Sequence, residues 1–115
     1  MALTATPIRV TQFDFPAATT DYLVYTVTQP KLIIKEIVLY NRNTADRNIS
    51  VAVVPSGETL GVQHYIFLNG KALDGESNIF TGMSIVCETG DTIYATTTDT
   101  DTGIYISGVE FTEIV

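Results

Sequence analysis

The chain reads as an all-β protein: an antiparallel β-sandwich, jelly-roll-like, of about eight strands. Three observations predict it. Apolar runs with strand character recur from one end to the other, each bounded by Gly, Pro, Asn, Asp or Thr. Turn signals arrive about every 8–12 residues, the spacing of a sandwich or barrel. No helical periodicity persists over three turns anywhere, and the abundant Thr disfavours helix interiors. At 115 residues and 45% hydrophobic, the chain is expected to form one domain, 1–115, around one core.

The elements follow in order. Residues 8–15 make the first strand, preceded by a segment, 1–7, expected to be an arm. The second spans 22–28 and ends where Pro30 cannot donate to a ladder. The third, 32–41, has apolar residues on both parities: Ile33, Ile37 and Leu39 alternate with Leu32, Ile34, Val38 and Tyr40. It reads as a central strand covered on both sides, with Lys35 on one face and Glu36 on the other. Residues 41–48 are polar and read as a hairpin connection into a strand at 48–54, where Ile49, Val51 and Val53 share a face. Strands follow at 63–68, 77–81, 84–88 and 92–98. Asn69-Gly70 reads as a type I′ hairpin turn, and Asp74-Gly75 and Gly90-Asp91 as further turns. The last strand, 103–112, is interrupted by Gly108, which predicts a bulge or a close backbone approach. Residues 112–115 are expected to be a second arm.

Chemical equipment is sparse. The single Cys87 excludes an intramolecular disulfide and fits a reducing cytosol; it reads as a buried, inert thiol. One histidine, His64, would have to serve any Ser-His-Asp or Cys-His mechanism, and no Gly-x-Ser-x-Gly elbow accompanies it. No catalytic residue and no cofactor is assigned, and the protein is expected not to be an enzyme. No metal site is assigned either. The one loop with hard oxygen donors, Asp99 and Asp101 among threonines, suits calcium chemically but lacks the EF-hand pattern. The net charge of −7 is uneven. Residues 1–57 hold five bases against four acids, whereas 58–115 hold nine acids against Lys71 alone. Without a basic stripe the chain is not expected to bind nucleic acid. No stretch approaches the ~18 apolar residues of a membrane helix, so no membrane span is expected.

The segments Lys31-Leu-Ile-Ile-Lys-Glu-Ile-Val-Leu-Tyr-Asn41, Ile49-Ser-Val-Ala-Val-Val-Pro-Ser-Gly57, Gly90-Asp-Thr-Ile93 and Ile104-Tyr-Ile-Ser-Gly-Val-Glu110 share their order and spacing with a known pattern. In this the chain resembles small bacteriophage virion proteins encoded among tail and tail-tip genes, nearest to a tail-associated protein of a siphophage of a Gram-positive host. The resemblance implies a β-sandwich without enzymatic activity, made in the host cytoplasm and built into the virion. It also implies kinship with the heads of phage receptor-binding proteins. The partners it implies are further copies of the chain as a homo-oligomer, other tail proteins and, as an alternative, host cell-wall carbohydrate. A second alternative is a host-interaction factor outside the virion. The turn Thr28-Gln-Pro-Lys31 departs from the pattern, and 62–83 is longer and more apolar than it. No binding residue is carried over. From the residues themselves, Lys35, Glu36, Tyr65 and Phe67 are the interface candidates.

Overall fold

A computed structural model describes residues 2–15, 19–43, 47–72, 77–97 and 101–114. Among the described residues nine strands divide between two antiparallel sheets: β1 (Ala2–Phe15), β2 (Thr19–Thr26), β3 (Lys31–Asn41), β4 (Arg47–Val54), β5 (Tyr65–Ala72), β6 (Ser77–Phe80), β7 (Ile85–Glu88), β8 (Thr92–Thr97) and β9 (Thr102–Ile114). Sheet A has the order β1-β9-β3-β6, with β7 pairing β3 beyond β6; sheet B has the order β2-β8-β4-β5. The outer strands of the sequence thus pair with each other, β1 with β9 and β2 with β8, and the chain winds inward from both ends. That is the double Greek-key winding of a jelly roll, with one strand of sheet A divided into β6 and β7.

The core lies between the sheets. Leu32, Ile34, Ile37, Leu39, Ile104 and Ile106 face it from sheet A, and Ile49, Val51, Ile93 and Ala95 from sheet B, all buried. The third strand does not keep one parity. Buried positions run Leu32, Ile34, then Ile37, Leu39 and Asn41. The pairing with β9 skips from Ile34↔Gly108 to Glu36↔Ser107, so Lys35 is an extra residue in the ladder. This bulge moves Ile37 and Leu39 onto the face of Leu32 and Ile34, whereas strict alternation would have put Ile33 with Ile37. On the other side of β9, β1 skips from Arg9↔Ser107 to Thr11↔Ile106, and Val10 is the extra residue. One point on β9 is therefore flanked by two bulges.

Ser107 is that point, and Gly108 follows it. A Cβ there would lie 2.3 Å from the Ile33 carbonyl oxygen, so the close approach expected from the sequence is present while the bulges fall on the neighbouring strands. Residues expected as arms are strand instead: Ala2 through Pro7 pair with Ile114 through Val109. Residues 41–48 are not a hairpin connection, because β3 and β4 belong to different sheets. Asn69-Gly70 is not a turn. It lies within β5, where Gly70 pairs with Ile49 and an irregularity follows before Phe67↔Val51. Asp74-Gly75 lies outside the described residues.

The lower end of the sandwich is tied by Asp91. Its carboxylate accepts the amides of Ser56 at 2.9 Å and Glu88 at 2.8 Å, and its carbonyl accepts the Val27 amide at 2.9 Å. Three connections, after β2, β4 and β7, are thereby held by one residue.

Candidate functional site

Directly opposed residues in an antiparallel ladder point to the same face, so the register assigns both outer surfaces. On sheet A the core takes Leu32, Ile34, Ile37, Leu39, Ile104 and Ile106, and their strand neighbours face outward. They form cross-strand rows. Val86, Ile33, Val109 and Pro7 make one, and Ile79, Val38, Tyr105 and Gln12 another. Between them runs a polar row of Glu36, Ser107 and Arg9. Ile79 is 63% exposed and Val86 54%. A sheet face of this kind is ordinarily polar; here apolar side chains occupy most of two rows.

At the upper end of the same face Tyr40 lies across β9. It pairs with Gly103, and a Cβ there would stand 2.1 Å from the Tyr40 ring and 2.6 Å from the Phe13 carbonyl oxygen. The bare glycine lets the ring reach β1, where its hydroxyl donates to Asp14 Oδ1 and lies 3.3 Å from the Phe13 carbonyl. Arg42 binds the same Asp14 oxygen at 3.1 Å and sits 5.5 Å from the centre of the Tyr40 ring. Burial, reinforced by the adjacent Asp14, pushes the Tyr40 phenol up to about 12. The Tyr40 hydrogen bond, and then Arg42, hold the Asp14 carboxyl below its usual range.

On the outer face of sheet B, Leu23, Tyr94, Ala52 and Tyr65 form one row across β2, β8, β4 and β5. Ala52 points away from the core yet is fully buried, with a tyrosine on either side in its row. Tyr65 donates to Asp21 Oδ1 at 2.9 Å, and the Asp21 amide donates to Thr96 Oγ1 at 2.8 Å. Asp21 adopts φ +51°, a conformation that costs a residue with a side chain. Three strands, β2, β8 and β5, thereby hold one carboxylate among hydroxyls.

The structure divides the sequence-derived candidates. Lys35 is exposed in its bulge and donates to Ser84 Oγ at 2.9 Å, so it is not the covered charge that strict alternation predicts. Glu36 lies half-buried in the polar row of sheet A. Tyr65 belongs to sheet B, and Phe67 takes its place on β5 opposite Val51. Sheet A's pair and sheet B's pair do not meet. Of the calcium candidates, Asp101 is exposed with φ +56°, and its carbonyl accepts the Arg42 amide at 2.8 Å; Asp99 lies outside the described residues. Among the described residues no three His, Cys, Asp or Glu side chains converge as metal ligands, and no pocket opens.

His64 clasps its own loop. Its Nδ1 accepts the Gly61 amide at 2.9 Å, which puts the ring proton on Nε2, 3.0 Å from Glu58 Oε1. Cys87 is fully buried, and burial followed by the charge of Asp91 pushes its thiol up to about 11. Reading by strand period missed the Tyr40–Asp14–Arg42 and Tyr65–Asp21–Thr96 groups, because each joins residues from strands far apart in sequence. No helix of the described residues is long and apolar enough to cross a membrane. No family model, curated protein or solved structure matches the chain.

Proposed function

We propose that the protein is a non-enzymatic structural component of a phage virion, a tail-accessory protein near the tail tip that works through protein–protein contacts. The observation that carries this reading is the outer face of sheet A. Isolated exposed apolar residues are normal on any protein, but contiguous rows of them mark a surface that another protein covers. The ordered resemblance of four segments to small virion proteins supplies the setting, and jelly rolls serve as capsid and lectin modules alike. Quantitative mass spectrometry of purified particles of the encoding phage tests it. The expected result is the chain at a fixed ratio to the tail proteins. Its absence from particles, with the chain abundant in infected cells, would sink the virion reading in favour of a host-interaction factor.

The outer face of sheet B favours a second reading, recognition of host cell-wall carbohydrate. Tyr94 and Tyr65 flank a flat, fully buried alanine, and Asp21 and Thr96 supply polar groups beside them. Sugars bind by stacking on aromatic faces with hydrogen bonds at the rim. Cell-wall polysaccharide should retain the purified protein, and Tyr94→Ala should abolish retention. Equal recovery of both proteins in the flow-through would dismiss this reading.

A further inference from the structure

We infer that the outer face of sheet A is covered by the same face of a second copy, in a two-fold symmetric sheet-on-sheet dimer. The inference rests on the reading that this face is an assembly surface and names its occupant.

Charge is the first argument. The chain carries −7, and repulsion opposes pairing two copies through most of its surface. Sheet A's outer side is different. Arg9, Lys31, Lys35 and Arg42 stand there against Asp14, Glu36, Glu88 and Glu113, four bases against four acids. Most of the excess negative charge therefore lies elsewhere, and this face can meet its own copy at little electrostatic cost.

The polar row has an order that suits self-pairing. Arg9 on β1 and Glu36 on β3 lie on opposite sides of Ser107 on β9. A two-fold axis lying in the interface and parallel to the strands exchanges the two sides. The β1 side of one copy then meets the β3 side of the other. With the axis midway between β9 and β3, Arg9 lies one strand column, about 4.8 Å, to the side of Glu36 of the second copy and within reach of its long side chain, and the contact is made twice as an isologous interface requires. The same operation brings Pro7 and Gln12 towards the exposed Val86 and Ile79, which no described element of the fold covers.

Area is the third. Four strand columns about 4.8 Å apart, and eleven residues of β3 at about 3.3 Å each, make a face of roughly 700 Å². A stable pair takes about 800 Å² from each partner. Sheets packed face to face align to within about 30°, which keeps these columns in register along their centre.

Sedimentation of the purified full chain across a dilution series tests the proposal. A dimer is expected. The exposed-site variant I79E/V86E should be monomeric with an unchanged circular dichroism spectrum. R9E alone and E36R alone should each weaken dimerisation by roughly tenfold or more, and R9E/E36R together should restore it. A protein monomeric at every concentration overturns the proposal, as does a dimer indifferent to I79E/V86E. A dimer that the double charge exchange fails to restore overturns the two-fold register. The virion reading is judged separately from particles. If the solution protein is monomeric and I79E/V86E is nonetheless lost from particles, the face belongs to another tail protein; the assembly reading then stands and the self-pairing falls.

Discussion

Gly108 has no room for a side chain, because the Ile33 backbone stands where its Cβ would be. Backbone cannot swing aside as a flexible side chain can, so Gly108→Ala should cost roughly 1–3 kcal/mol or more. Urea unfolding of the two proteins measures it, and an unchanged midpoint would show that β3 and β9 can separate there freely. Tyr40, Asp14 and Arg42 make a different kind of contribution. The folded protein holds the Asp14 carboxyl below its usual 3.8, so the stability it contributes is complete above the unfolded value and is lost as pH falls through the folded one. Asp14→Asn should therefore melt below wild type at neutral pH, with the gap closing at pH values under about 4. Thermal melts across pH check this. The effect is small, because solvent and salt screen the exposed pair.

At the scale of the strand, the bulge at Lys35 carries more consequence than the side chain that occupies it. Lys35→Ala removes an exposed hydrogen bond to Ser84 and should change stability by no more than about 0.5 kcal/mol. Deleting residue 35 would restore strict alternation and turn Ile37 and Leu39 out of the core, so the shortened chain should not fold. Circular dichroism and solubility of the two variants separate the outcomes; a folded deletion would mean that β3 carries its register elsewhere. The spacing Leu32, Ile34, Ile37, Leu39 held this information, since the step of three marks the added residue. All nine strands were legible from apolar runs and turn residues. What turn chemistry could not tell was destination. Residues 41–48 look like a hairpin loop, but a connection between sheets uses the same polar residues as one within a sheet. Asn69-Gly70 fits a tight turn, yet β4 offered a ladder that continued past it. The β1 edge illustrates the reverse, a feature that local sequence does explain. Fourteen residues long, it is guarded by Pro7 and by the Val10 bulge, both of which spoil pairing with a further strand.

For the whole molecule, the winding makes nearly every pairing distant in sequence, since β1 waits for β9 and β2 for β8. Loop closure must precede any reward from these contacts, so refolding in stopped flow should take milliseconds to seconds. Microsecond refolding would contradict this. The outer faces became legible only at this scale. Residue types and periods gave Lys35, Glu36, Tyr65 and Phe67, but which of them share a surface depends on sheet membership and on one bulge, neither of which a short window contains. The pairing of Ala2 with Ile114 has a mechanical consequence. Ala2 and Ile114 lie together at one tip, and the hydrogen bonds of the β1–β9 ladder run across the strands. A load applied between the two ends would open that ladder as a zipper, one pair after another, instead of shearing all its bonds at once. The protein should therefore yield to low force when pulled by its ends, however firmly its core resists urea.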